Sequence, residues 1–221
     1  MFVITADQID SRNQADRVAS TLDRLNAREG PSLALPADRT AGDEIQMLPD
    51  TAEDTLRVLL ELSREESWSI GVGVGQAKLP LPRATREATG EAFFAARDAV
   101  TRAKKAPTRF ALTRAGDDGD AESGNGIRGS DVEALISLLL VLRERRTAGG
   151  WELYDLLSSG LTQSESAERL GITAGAASLR ARAAGIRVER ASSEALVRLL
   201  DTINRSADSA FTGTAETTPT D

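Results

Sequence analysis

The stretch "RTAGDEIQML", residues 39–48, decides how the first half of this chain is interpreted. Gly42 and Asp43 separate two apolar runs, which is the pattern of a β-hairpin turn. A carboxylate in such a turn is also well placed to bind a cation if the fold brings a second carboxylate to it. The meaning of this stretch therefore depends on the elements around the hairpin.

Those surrounding segments alternate between strand and helix patterns. Strands are expected over 2–6, 32–40, 44–48, 68–75 and 108–114, and amphipathic helices within 11–28, 49–66 and 87–105. The order β-α-β-β-α-β-α-β contains the split βαβ arrangement of a ferredoxin-like fold. We expect an antiparallel central sheet with helices on one face.

In that arrangement strands one and three are neighbours, so Asp7 at the end of strand one and Asp43 in the hairpin are expected to converge. Two close carboxylates repel each other unless a cation lies between them. Asp10 and Glu44 are secondary candidate ligands. The chain has no Cys and no His, which excludes thiolate and imidazole ligands and favours oxygen-bound Mg²⁺, Mn²⁺ or Ca²⁺, of which we expect Mg²⁺ or Mn²⁺.

Each of these residues also has a purely structural interpretation. Asp10 would cap a helix starting near Arg12, Gly42-Asp43 would be only a turn, and Glu44 would be a solvated side chain. Lys104 and Lys105 lie near a helix C-terminus, where cations favourably meet the helix dipole.

Composition and charge suggest two folded domains. The chain has 221 residues, 40% of them hydrophobic and 28% charged, as in a soluble globular protein. Segments 116–127 and 207–221 carry charges of −4 and −3, which together account for the whole net charge of −7. We predict a domain over 1–115, a flexible acidic linker over 116–128, a helical domain over 129–206 and a disordered tail over 207–221.

No apolar run is long enough for a membrane span, and the N-terminus lacks the basic start of a signal peptide. These features predict a cytoplasmic protein with no membrane partner.

The second domain carries a helix-turn-helix pattern within "LTQSESAERLGITAGAASLRARAAGIRVE", residues 161–189. An apolar helix over 130–146 is expected to open with a Ser130/Glu133 capping box, and Thr162 with Glu165 forms a second capping-box pattern. Gly171 supplies the tight turn, and Thr173 caps the next helix.

The second helix of this motif would enter the DNA major groove. Candidate DNA-binding residues share polar or cationic side chains in or beyond that helix: Thr173, Ser178, Arg180, Arg182, Arg187 and Arg190. Residues 171–190 contain four Arg and one acid, a modest basic patch. The small side chains of 174–176 allow close approach and methyl contacts with thymine, but no bidentate base contact. The pattern leaves one alternative open, in which the motif serves protein packing only.

The stretches "FVITADQIDSR", "TAGDEIQML" and "WSIGVGVGQAKLP" with "GEAFFAAR" resemble the signature stretches of the SatD family of bacterial proteins, and more distantly the palm domain of class III and GGDEF-type nucleotide cyclases. The resemblance implies an α+β protein with a ferredoxin-like (cyclase palm-type) N-terminal domain and an all-α helix-turn-helix domain. It implies that Asp7 and Asp43 hold Mg²⁺ against a nucleoside triphosphate and that Arg97 contacts phosphate. Phe93 stands where class III cyclases keep an Asn.

Three functions from different classes follow from these features. We favour a DNA-binding regulator, acting as a homodimer, whose N-terminal domain senses a nucleotide with Mg²⁺ and is not catalytic. The alternatives are an active nucleotide cyclase or nucleotidyltransferase using two metals on Asp7 and Asp43, and a non-catalytic assembly scaffold.

Overall fold

The computed structural model describes residues 1–117 and 126–212, and it is an α+β structure built around one five-stranded sheet. The strands are β1 Phe2–Gln8, β2 Leu33–Ala41, β3 Glu44–Pro49, β4 Trp68–Val74 and β5 Phe110–Arg114. Their spatial order is β2-β3-β1-β4-β5. The pairs are antiparallel except β4 with β5, which are parallel, so the sheet is mixed.

The described residues also form eight α-helices. They are α1 Val18–Glu29, α2 Ala52–Arg64, α3 Glu91–Ala103, α4 Gly129–Glu144, α5 Ala148–Ser158, α6 Gln163–Arg169, α7 Ala174–Ala183 and α8 Ile186–Thr212. None of these helices is long and apolar enough to cross a membrane.

Helix α3 lies very close to strand β4 because glycines face it. A Cβ added at Gly71 would lie 2.2 Å from the backbone nitrogen of Val100, and one at Gly73 would lie 2.1 Å from the carbonyl oxygen of Ala92. No side chain other than hydrogen fits at either position. Alternate residues of β4 therefore point away from α3, and Ile70 is buried on the opposite face.

Helices α1 and α2 cover that opposite face, which corrects the expectation that all helices share one face. Both contact the sheet, and they are joined to each other by ion pairs such as Arg24 with Glu61 at 3.4 Å. The side chains they bury include Ile4 and Met47, both fully buried. Helix α3 connects β4 to the parallel strand β5, and its packing on Gly71 and Gly73 locates it on the other side of the sheet.

Two helix starts also differ from the sequence interpretation. Helix α1 begins at Val18, so Asp10 does not cap it; the carboxylate of Asp16 accepts the Val18 N–H instead, at 2.8 Å. Helix α4 begins at Gly129, so Ser130 lies inside it and the Ser130/Glu133 capping box is not formed. The Glu133 carboxylate instead accepts the Leu112 N–H at 2.7 Å. At α4 a long-range contact thus replaces the local one, whereas at α1 a carboxylate nearer to the helix start replaces Asp10.

The chain forms two compact units, and their division falls inside α4 and α8. Of the described residues, one unit contains those of 1–136 together with 196–212, and the other contains 137–195. In the first, the N-terminal amino group of Met1 donates to the Asn204 side-chain oxygen at 2.7 Å. The second contains all of α5, α6 and α7.

The two acidic segments are only partly described. Within the predicted linker, the Asp117 carboxylate accepts the Gly129 N–H at 2.8 Å, and residues 118–125 lie outside the described residues. Helix α8 continues to Thr212, six residues into the predicted tail, and the rest of that tail also lies outside them.

The close contact of α3 with β4 gives a direct test by mutation. Gly73→Ala should lower the free energy of unfolding by about 1–3 kcal/mol, because the new Cβ forces the helix backbone away from the strand. Gly30→Ala is the matched control, since an added Cβ there has nothing within 4 Å. Urea unfolding followed by circular dichroism measures both; equal stabilities of the two variants would contradict the packing argument.

Candidate functional site

The end of strand β1 brings two carboxylates onto one face of the sheet. Asp7 is directly opposite Glu44 in the β1–β3 register. The Gln8 N–H donates to the Asp43 carbonyl oxygen at 3.1 Å, so Asp7 and Glu44 form the adjacent, non-hydrogen-bonded type of pair, in which side chains approach most closely. Like charges directly opposite each other are unfavourable, so a cation beside this pair is stabilising.

Lys104 supplies a positive charge at this point. Its ammonium donates to Asp7 Oδ2 at 2.7 Å, from the C-terminal end of α3. The Asp7 side chain is 16% exposed and the Lys104 side chain 47% exposed, so the carboxylate is fixed while the lysine stem reaches it from solvent. The sequence interpretation placed Lys104 at the helix dipole and did not find this long-range ion pair.

Asp43 lies in the hairpin turn beside Gly42, whose φ of +53° is the left-handed conformation that glycine adopts easily. Its carboxylate accepts a short hydrogen bond from the Ser11 hydroxyl. Asp10 also has a positive φ, +53°, and its carboxylate accepts from the Asn13 side-chain amide at 2.7 Å. Register thus brings Glu44 opposite Asp7, while Asp43 pairs with the loop that follows β1.

These groups are suited to a hard cation, but only as a partial ligand set. They are carboxylate and hydroxyl oxygens, the donors that Mg²⁺ prefers, and the Lys104 ammonium stands in for a cation beside Asp7. Among the described residues, no group of three or more acidic side chains could hold a metal ion. Mg²⁺ is commonly bound by one or two carboxylates plus phosphate oxygens, so the two-carboxylate arrangement fits a metal that arrives with a phosphate ligand.

Phe93 and Arg97 are one turn apart on α3 but differ in exposure. Phe93 is fully buried, in a cluster with Val3, Leu48 and Ala96. Arg97 is exposed. Seven residues of helix separate Arg97 from Lys104, which is about 10 Å along the axis. Lys104, and not Arg97, is therefore the α3 cation that meets Asp7.

The second candidate site is built by α6, a tight turn and α7. Thr162 caps α6 in a complete capping box with Glu165, as the sequence predicted. Hydrogen bonds from the Thr162 hydroxyl and backbone N–H hold the pKa of Glu165 below its usual range. Gly171 makes the turn with φ +64°, and the Thr173 hydroxyl caps α7 by accepting the Ala176 N–H at 3.1 Å.

Helix α7 packs through two small side chains and leaves its other face exposed. Ala177 and Ala181 are buried, while Thr173, Ser178 and Arg182 are exposed. Arg180 is half-buried and lies 3.7 Å from the Glu152 carboxylate of α5. Of the predicted DNA contacts in α7, Ser178 and Arg182 are therefore on the exposed side, and Arg180 is engaged at its flank.

The two remaining predicted DNA contacts, Arg187 and Arg190, are exposed in the first turns of α8. The acid between them, Glu189, is 3% exposed and pairs with Arg143 and Arg146 through short contacts. The sequence pattern counted Glu189 against the basic patch. Its burial leaves only arginines as the exposed charged side chains of residues 171–190.

The Arg143–Glu189–Arg146 cluster links α4 to the end of α7. Arg146 also donates to the carbonyl oxygen of Ala184 at 3.0 Å, at the C-terminus of α7. The guanidinium of Arg146 lies 4.4 Å from the ring centroid of Trp151, a cation–π contact with α5. The predictions from sequence missed this cluster. The one signal for it in the sequence is the group of arginines at the end of an apolar helix.

No known protein-family model, curated protein or solved structure matches this chain. The resemblance to the SatD family stays a prediction from its sequence stretches.

Removal of the charge of Glu189 should destabilise the unit formed by residues 137–195. Glu189→Gln leaves two buried guanidinium groups without their counter-ion, and we expect a loss of about 3–5 kcal/mol in unfolding free energy. Glu194→Gln, on an exposed side chain of the same helix, should change stability little. Thermal and urea unfolding compare the two; a small loss for Glu189→Gln would show that the cluster is not an energetic anchor.

Proposed function

We propose that this protein is a DNA-binding regulatory protein whose α6–turn–α7 segment is a helix-turn-helix. The observation that carries the proposal is the exposed surface of residues 171–190, where every exposed charged side chain is an arginine. DNA is the polyanion that such a helix and its flanking cations fit. The overall net charge of −7 does not oppose this, because segments 116–127 and 207–221 account for all of it and the rest of the chain is neutral overall.

The roles of the individual residues follow from their positions. Thr173 and Ser178, near the start of α7, would meet base edges or phosphates, and Arg182 would contact phosphate or guanine. Arg187 and Arg190 would bind the backbone from α8. A two-fold dimer would present two copies of α7 to half-sites one helical turn apart, so we include a homodimer in the proposal. A cytoplasmic location suits this role.

The first unit is, in this proposal, a ferredoxin-like, cyclase palm-type sensor domain. The order β2-β3-β1-β4 and the pairing of β1 between β3 and β4 support that assignment. Its ligand would be a nucleotide with Mg²⁺ or Mn²⁺. Asp7 and one further carboxylate, Glu44 opposite it or Asp43 of the hairpin, would hold the metal, and the metal would neutralise phosphate charge.

A sensor is favoured over a cyclase by the surroundings of Asp7. Phe93 is a buried core residue, and the exposed Arg97 is about two turns of helix from Lys104. No polar side chain at position 93 is available to stabilise a transition state. The chain's own residues would bind the nucleotide, and Lys104 would leave Asp7 when the metal arrives.

DNA binding can be tested by gel-shift titration of genomic fragments with the full chain, with and without nucleoside triphosphate and Mg²⁺. We expect a shifted complex whose affinity changes with the nucleotide. Absence of a complex under every condition would overturn the proposal. A complex that ignores every nucleotide would retain the DNA-binding part and remove the sensor part.

Substitution of one arginine measures how much α7 contributes to DNA binding. Arg182→Ala should weaken binding across sequences and reduce the slope of log affinity against log salt by about one, as expected for one lost phosphate contact. Arg198→Ala, an exposed arginine of α8 outside residues 171–190, is the control and should leave the slope unchanged. Equal effects of both variants would indicate non-specific electrostatics.

The ion pair of Lys104 with Asp7 gives an independent test of the proposed metal site. Lys104→Met should tighten Mn²⁺ binding by about tenfold, since removal of one adjacent positive charge strengthens an anionic site by about that factor. Lys105→Met is the matched control, because Lys105 is the next residue and is also exposed. Electron paramagnetic resonance measures the free Mn²⁺, and the bound Mn²⁺ is the difference between total and free metal. An unchanged affinity in Lys104→Met would refute competition between the lysine and a metal.

A further inference from the structure

Leu179 stands at the centre of the exposed face of α7. Its side chain is 69% exposed, whereas Ala177 and Ala181 on the packed side are 0% and 6% exposed. At 3.6 residues per turn, Leu179 projects almost directly away from those two alanines. The side chain therefore has no role in packing this helix, and its large apolar surface is directed outward.

The neighbours of Leu179 on that surface leave it prominent. We define the α7 face as Gly175, Ala176, Leu179, Arg182 and Ala183, which are one turn before or after Leu179 and are all exposed. Three of the five have a methyl group or no side chain. Leu179 is thus the main apolar projection, with Arg182 one turn away along the same face.

The charge around the α7 face indicates the kind of partner. Arg182, Arg187 and Arg190 are exposed, and the acid between the last two is buried with Arg143 and Arg146. Because the exposed charged side chains of residues 171–190 are all arginines, the apolar projection of Leu179 is complementary to the DNA major groove, where phosphates flank the 5-methyl groups of thymine. An apolar pocket on a protein partner is not flanked by negative charges in the way that phosphates flank the major groove.

We propose that Leu179 reads sequence by packing against thymine 5-methyl groups in the major groove, while the arginines bind phosphates. This inference rests on the proposed DNA-binding function. It assigns the base preference to a van der Waals contact, because no side chain of the first turn of α7 can form a bidentate hydrogen bond with a base. Preferred sites should therefore contain thymine where α7 enters the groove.

The test uses the full chain and duplexes selected for binding from a random library. Each selected duplex is made twice, with thymine and with deoxyuridine, which lacks only the 5-methyl group. Wild-type protein should bind the deoxyuridine duplex about fourfold more weakly for each methyl contacted by Leu179. Leu179→Ala should bind both duplexes with nearly equal affinity.

Val188→Ala is the matched control, because Val188 is 60% exposed and lies outside α7. It should keep the wild-type thymine-to-deoxyuridine ratio. The inference is overturned if wild type and Leu179→Ala show the same ratio. It is also overturned if Leu179→Ala changes the mass of the DNA-free protein in sedimentation and leaves that ratio unchanged, since Leu179 would then be a protein contact. Failure to select any duplex would instead overturn the proposed DNA binding itself.

Discussion

The contact of α3 with β4 at Gly71 and Gly73 is the constraint on which the first unit depends. Backbone atoms of α3 occupy the space that a Cβ would need at each glycine, so helix and strand have one relative position. That position fixes where the C-terminal end of α3 lies over β1. Lys104 consequently meets Asp7, 97 residues earlier in the chain, and the carboxylate pair at the sheet end receives its cation.

A buried charge cluster has the same role in the unit formed by residues 137–195. Glu189 accepts from Arg143 and Arg146, and Arg146 also holds the carbonyl at the end of α7. Desolvated ions are costly unless paired, so this cluster tolerates few other arrangements of α4, α7 and α8. The cluster also has an electrostatic effect. Because Glu189 is buried, its negative charge does not lie on the basic surface of residues 171–190.

The ion pair at Asp7 and the charge cluster at Glu189 differ in the burial of their cations. At Asp7 a half-exposed lysine satisfies a fixed carboxylate, and an exposed cation on a flexible stem is exchangeable. In the cluster at Glu189 both partners are buried, and such a pair is structural. Burial of the cation, more than the presence of an ion pair, distinguishes the site that can take a ligand from the site that holds the fold.

The sequence by itself determined the local elements: the five strands, the hairpin at Gly42-Asp43, the α6 capping box and the Thr173 cap, because periodicity, turn residues and caps act within a few residues. It could not place α3 opposite α1 and α2, pair Lys104 with Asp7, bring Glu44 opposite Asp7 or bury Glu189. Ser130 was misassigned as a cap for the same reason. These features depend on strand register and helix crossover, which join residues far apart in the chain, and only the tertiary structure decides them.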